Sequence, residues 1–348
     1  MNFSVQFKVR GDDFGGHFIN GISMADSESF WKCKLVSADD EKNVYESSDG
    51  YKITAYDIKK GDVFECYTVF ENNTDSVVTL DMISSFAITD LDFDTLHRAT
   101  SFWSAEGKML SQKLTDLNME RSWSGHGIRI EKFGQVGSMP VRKWFPFVAI
   151  ENSEKNEFIG VQLYIPSSWQ IELFRHKEPL TLLGGLADFD YGHWCKEIKP
   201  NESFTTPKAV VAVGDSLLKV CDMLVKAQQP DISPVDEDLP VIFNEYCTSW
   251  GNPTIENLEK TAKKLQGSGV KYLVMDSGWY KEDGKEWWDT IGDWNVNKSQ
   301  FPDGLKPVCD MIKSYGLIPG IWFEMENVAP LSQIYNETDH LLSRMGTP

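Results

Sequence analysis

Residues 271–280 read KYLVMDSGWY: an apolar run passes directly into an acid, a serine, a glycine and two aromatics. Two neighbouring stretches share this design. PVIFNEY (240–246) ends in Asn244, Glu245 and Tyr246, and LIPGIWFEME (317–326) carries Trp322 and runs into Glu324, Met325 and Glu326. Between them lie helical patterns. Thr254 is placed to cap a helix with Ile255, Leu258, Ala262 and Leu265 on one face, stopped by Gly267 and Gly269. Asp303 is placed to cap a second, with Leu305, Val308, Ile312 and Tyr315 inward, ending at Gly316. Apolar strands alternating with helices predict a parallel sheet buried on both faces. Acids and aromatics then gather at the carboxyl ends of consecutive strands, which is the active face of an α/β barrel.

Carboxylates beside indoles suit a sugar. Carboxylates accept hydrogen bonds from hydroxyls, and indoles pack against the apolar C–H face of a pyranose. Six of the twelve tryptophans (Trp250, Trp279, Trp287, Trp288, Trp294 and Trp322) lie beyond residue 238, and all but Trp322 fall in loops. Trp287 and Trp288 also fit a plain role, pinning the long loop after the second strand. Asp276 stands apart, because a carboxylate at the end of a buried strand is costly unless something satisfies it.

Working back toward the amino terminus, PDISPVDEDLP (230–240) reads as a linker, with a boundary near residue 238. GDSLLKVCDMLVKAQQ (214–229) has helical spacing, with Leu217, Val220, Leu224 and Val225 on one face. Residues 1–213 read as β-structure. VQFKV, YKITAYDI, VFECYTVF, VVTLDMISSFAI, FPFVAIEN, FIGVQLYI and PKAVVAV are separated by polar turns. Such a pattern predicts a β-sandwich. The expected organisation is a β-sandwich domain over 1–213, a helix and linker over 214–238, and α/β structure from 239 to 348. The tail PLSQIYNETDHLLSRMGTP begins like a further helix.

The charge balance excludes some functions. The chain carries 34 basic and 52 acidic residues, a net −18. That field repels a phosphate backbone, so nucleic acid is not an expected partner. No apolar run reaches the roughly 18–20 residues of a membrane span, and MNFSVQFKVR has no apolar signal-peptide core. Six dispersed cysteines without C-x-x-C spacing read as reduced thiols of a cytoplasmic protein, and no Cys/His cluster has zinc spacing. His126 and His193 sit in glycine-containing turns and read as structural.

KYLVMDSGWY together with GDWNVNKSQFPDGLKPVCDMIKSYGLIPGIWFEME (292–326) resembles the α-galactosidases of glycoside hydrolase family 36. RKWFPFVAIENSEKNEFIGVQLYIPSSWQIEL and PNESFTTPKAVV resemble that family's amino-terminal β-sandwich more weakly. The resemblance implies a β-sandwich followed by a (β/α)8 TIM barrel, here partial, with about three βα units. It implies retaining cleavage of terminal α-galactosides of oligosaccharides, with neither metal nor organic cofactor, and an oligomer built through the β-sandwich.

By the same resemblance, Asp276 matches the first of two adjacent acids that hold galactose hydroxyls, and Trp322 matches a tryptophan of the sugar site. Tyr246 stands where many members carry a tryptophan. Trp279 and Glu324 complete the expected substrate-binding set. The second acid of the pair is Ser277 here, a shorter side chain that leaves room for another substituent. NEYCTSWGNP (244–253) also departs from the commoner text and suggests a distinct branch.

The family's nucleophile and acid/base are aspartates on later barrel strands. They are expected beyond Pro348, so no catalytic residue is assigned and the chain reads as an inactive amino-terminal piece. The alternatives are a raffinose-synthase-like transglycosidase, an α-N-acetylgalactosaminidase, or a non-catalytic carbohydrate-binding or assembly module.

Overall fold

The computed structural model describes residues 1–13, 20–120, 127–176, 179–228 and 232–342. His126 lies outside them. The chain divides into two compact units, Met1–Gln229 and Pro230–Pro348.

Runs of β-branched and aromatic residues make the first unit almost entirely antiparallel sheet. The fourteen-residue strand Val78–Leu91 is its spine, buried along most of its length. It pairs with Asn2–Ser4, Phe7–Val9, Leu180–Leu186 and Lys196–Ile198, and Trp169–His176 and Ile128–Gln135 extend the sheet to seven strands. A second sheet of ten strands runs in the order Cys33–Ala38, Lys42–Ser47, Tyr51–Lys60, Val63–Asn72, Ala209–Gly214, Glu157–Leu163, Trp144–Asn152, Thr95–Thr100 and Lys108–Lys113. Ser203–Thr205 also pairs with Val63–Asn72. Ile88, Trp169, Ile171 and Leu182 of the first sheet share one apolar cluster with Leu96, Val148, Ile159 and Val211 of the second. That is the packing of a β-sandwich.

Behind the ten-stranded sheet lies the helix Leu217–Ala227, capped where Ser216 Oγ accepts from the Lys219 amide at 3.3 Å. Val220 and Leu224 pack onto Ala149, Val210 and Ala212. The expected apolar face is corrected at one position. Val225 is 65% exposed, because it follows Leu224 by one residue and so points about 100° around the helix axis.

One buried ionic cluster ties the first unit together. Lys132 Nζ lies 2.8 Å from Asp188 Oδ2 and 3.3 Å from Glu172 Oε2, and both carboxylates are fully enclosed. Burial pushes the Glu172 carboxyl up, against the pull of the Lys132 charge and the Ser23 hydroxyl.

The second unit is a three-stranded parallel sheet in sequence order: Val241–Asn244, Val270–Met275 and Ile318–Ile321. The helix Ile255–Leu265 follows the first strand. It is capped by Thr254, whose Oγ1 accepts from the Asn257 amide at 3.2 Å. The helix Lys306–Ser314 follows the long loop after the second strand. It has no side-chain cap, so Asp303 does not serve as one. Instead the helix starts at Leu305 with Pro307 in its first turn, where a missing N–H costs nothing.

Leu258, Ala262, Val308 and Ile312 of the two helices bury Leu273 and Met275. Both helices cover the same sheet face, which corrects the expectation of strands enclosed on both sides. Ile242 is 59% exposed and Ile318 41%. Residues 332–342 form short 3-10 turns, Ile334–Asn336 and Thr338–His340, in place of the expected helix.

Candidate active site

Each strand of the parallel sheet delivers polar or aromatic groups at its carboxyl end. Asp276 follows the last residue of the central strand and is 9% exposed. Its carboxylate is held from two sides: Oδ1 accepts from the Ser277 amide at 2.6 Å, and Oδ2 accepts from Asn244 Nδ2 at 2.6 Å. The same Asn244 accepts at Oδ1 from the Tyr246 amide at 2.9 Å. One amide side chain therefore fixes both Asp276 and the turn that carries Tyr246.

Beside them is Glu245, 1% exposed. Its Oε1 accepts from the Asp276 amide at 3.3 Å, and its own amide donates to the Val274 carbonyl at 3.1 Å. Burial pushes the Glu245 carboxyl up. The Asp276 charge adds to that, and hydrogen bonds from nearby hydroxyls and the Asp276 amide oppose it.

The aromatics form a continuous chain of edge-to-face contacts. Trp287 meets Tyr246 at 6.2 Å and Trp322 at 6.3 Å between ring centroids, in both cases nearly perpendicular. Trp322 then meets Trp294 at 6.2 Å. Trp287 is thus the hub that links the ends of the first and third strands. Its position is fixed by a capping box between Glu286 and Asp289 and by the bare backbone of Gly251, φ +78°, against which the indole lies.

Trp279 is placed differently from the other expected sugar-contacting residues. It is 2% exposed, stacks on Trp294 at 6.2 Å, and donates from Nε1 to the Trp322 carbonyl at 3.0 Å. Glu324 is half-buried, and its Oε1 accepts from the Glu326 amide at 3.1 Å. Burial pushes the Tyr280 phenol up, with the charges of both Asp276 and Glu324 adding, so one ring feels both carboxylates.

The loop after the second strand is internally braced. The Asn297 amide donates to the Trp279 carbonyl at 2.9 Å, and Asn297 Oδ1 accepts from the amides of Ser299 and Gln300. Asp293 accepts from the Gln333 amide at 2.9 Å, joining this loop to the one after the third strand.

Three buried polar atoms here have no hydrogen-bond partner among the described residues: Ser277 Oγ, Tyr280 Oη and Trp287 Nε1. Such atoms are costly, and two of the three belong to residues within four positions of Asp276. Among the described residues, no group of three or more His, Cys, Asp or Glu is placed to hold a metal ion. No helix among them is long and apolar enough to cross a membrane. A cavity of about 1060 Å³ belongs to the first unit, between the helix Leu217–Ala227 and its sheet, and none of the site residues above lines it.

The sequence expectation brought Asp276, Tyr246 and Trp322 to neighbouring strand ends. It placed Asn244 and Glu245 at the same strand end but gave neither a role.

The melibiase family profile matches residues 203–346. The α-galactosidase Mel36A of Lactobacillus acidophilus is 26% identical over 239 residues, covering 65% of this chain and 32% of its own length. The α-galactosidase of Escherichia coli is 31% identical over 157 residues, covering 43% of this chain and 22% of its own. The crystal structure of the family 36 α-galactosidase AgaA from Geobacillus stearothermophilus superposes with a TM-score of 0.73 at 19% identity, over all of this chain and 48% of that one. The chain therefore spans about a third of the length of Mel36A and about half that of AgaA. The melibiase profile thus matches the carboxyl-terminal part of the chain, the sequence relatives are α-galactosidases, and the fold is that of solved family 36 α-galactosidases.

Proposed function

We propose that this chain carries the sugar-holding part of an α-galactosidase-like retaining glycoside hydrolase, with terminal α-galactosides of oligosaccharides as substrate. The observation that carries the reading is the Asp276 carboxylate, fixed by Asn244 beside the Tyr246–Trp287–Trp322 ring chain. A carboxylate offers about four lone-pair positions. Two are engaged by Asn244 and the Ser277 amide, which leaves about two for sugar hydroxyls. Tyr246 and Trp322 supply apolar walls and Glu324 a further acceptor, while Trp279 acts as a strut beneath Trp322.

In this reading the parallel sheet is the beginning of a (β/α)8 barrel, starting at about residue 239. Its uncovered face is the one that a closed barrel turns inward. In such a barrel the nucleophile and the acid/base, about 5–5.5 Å apart in a retaining enzyme, belong to later strands than these three. Variants of AgaA have been solved in complex with raffinose and with stachyose, which supports oligosaccharides as the substrate class. The short side chain of Ser277 is 1% exposed. It therefore presents little surface of its own to a bound sugar.

The test is titration of the 348-residue chain with methyl α-galactoside, followed through tryptophan fluorescence. Only weak quenching is expected, because three strands make part of a barrel site, and Asp276→Ala should weaken it at least about tenfold further, because hydrogen bonds to a charged group contribute about 1.5–3 kcal/mol. Equal binding by the variant overturns the assignment of Asp276.

A further inference from the structure

The residue before Tyr246 is a buried glutamate, and nothing in the sugar-holding reading uses it. Glu245 and Asn244 are consecutive, so their side chains leave the chain in different directions, yet both reach Asp276. Asn244 grips the Asp276 carboxylate, and Glu245 Oε1 accepts from the Asp276 backbone amide at 3.3 Å. The Glu245 amide is itself tied to the Val274 carbonyl at 3.1 Å. Glu245 Oε2 lies 3.4 Å from Thr248 Oγ1, which also bonds the Glu245 carbonyl at 2.7 Å. The glutamate is thus held at both ends while it holds the point where the central strand breaks into the Asp276 turn.

At that point the sheet's own ladder runs out, because the first strand ends at Asn244 and its last paired residue on the central strand is Val274. The Asp276 amide needs an acceptor that regular strand pairing no longer provides, and a buried amide without one is costly. A side-chain carboxyl replaces the missing strand carbonyl.

We propose that Glu245 is a positioning residue for sugar recognition: its Oε1 stands in for the next rung of the sheet and fixes the backbone from which the Asp276 carboxylate is aimed. The proposal rests on the reading of Asp276 as the sugar-holding acid. What Glu245 contributes is an acceptor oxygen at one place, not a charge and not bulk. Gln keeps the oxygen and loses the charge. Leu keeps much of the bulk and loses the oxygen.

The experiment compares the full chain with Glu245→Gln and Glu245→Leu by two measurements. The first needs no sugar: hydrogen exchange of the Asp276 amide by NMR, with the Ile312 amide in the helix Lys306–Ser314 as a folding control. Exchange at Asp276 is expected to stay within about threefold of the parent in Glu245→Gln and to rise at least about tenfold in Glu245→Leu, while Ile312 is unchanged. The second is affinity for methyl α-galactoside, expected to be retained in Glu245→Gln and to fall at least about fivefold in Glu245→Leu.

Unchanged Asp276 exchange in Glu245→Leu overturns the proposal, and so does lost protection in Glu245→Gln. If Glu245→Leu does not fold, the Gln result alone decides. If the parent chain binds no galactoside while exchange follows the expected order, the sugar reading fails and the backbone role of Glu245 stands.

Discussion

The indole of Trp287 occupies the space that a side chain on Gly251 would need. Gly251 has a φ of +78°, and a Cβ there would overlap the Trp287 ring. Gly278, φ +97°, is as constrained, because its Cβ would overlap the Gly251 carbonyl. Gly251→Ala and Gly278→Ala are each expected to destabilise the second unit by about 2–4 kcal/mol, combining left-handed strain with overlap. Gly284→Ala is the control. It has φ +80° with open space around it and should cost about 1 kcal/mol from strain alone. Thermal unfolding of the three variants checks the order.

Adjacent tryptophans should differ sharply. Trp287 touches Tyr246, Trp288 and Trp322, whereas Trp288 is 53% exposed and, among the described residues, meets only the Trp287 ring. Trp287→Ala is expected to cost about 3 kcal/mol and to weaken galactoside binding, while Trp288→Ala should cost about 1 kcal/mol or less. Equal losses in denaturant titrations would contradict the hub geometry.

The cluster in the first unit gives a third expectation. Lys132→Met leaves Glu172 and Asp188 enclosed without a cation and should cost about 3–5 kcal/mol near neutral pH. The loss depends on pH with a definite sign. Without Lys132 the folded Glu172 carboxyl is pushed further up. Its favourable contribution is then fully present below the unfolded value of about 4.3 and is lost as pH rises through the folded one. The variant should therefore approach the parent's stability as pH falls toward 4.

Asp57 offers a second pH test. Burial, helped by the Asp39 charge, pushes its carboxyl up to about 6, and its Oδ1 is buried with no hydrogen-bond partner among the described residues. An unfolded aspartate titrates at about 3.9. Stability present below pH 4 is therefore lost as pH rises through about 6. Asp57→Asn should be near neutral at pH 4 and stabilising by about 1 kcal/mol at pH 8, after discounting for the partly exposed side chain. A variant destabilised equally at both pH values would refute this.

Where local chemistry decides structure, the sequence was informative. Thr254 caps its helix as its position indicates, and the three apolar runs form three parallel strands because their residues can bury nothing unless helices cover them. Asp276 stood out because an acid ending a buried strand demands a partner. Other features depended on tertiary context. Strands such as Cys33–Ala38 and Lys108–Lys113 are largely exposed edge or hairpin pieces without an apolar signature. Trp279 is expected in the substrate-binding set, and the sequence does not show that its N–H donates to the Trp322 carbonyl, a contact between residues 43 positions apart. Glu245 gave no sign of its bond to the Asp276 amide, because the register of two parallel strands determines that meeting.

The three-stranded sheet also bears on how the molecule behaves in solution. Val241 and Ile242 on one outer strand, and Ile318 and Ile321 on the other, are between 39% and 59% exposed. Among the described residues neither outer strand is paired on its far side. Bare strand edges with apolar side chains invite self-association, and a net charge of −18 opposes it. That repulsion acts over a Debye length, about 30 Å at 0.01 M salt and about 3 Å at 1 M. Ionic strength therefore acts as a control on assembly: dilute buffer keeps copies apart, and concentrated salt lets the edges find each other.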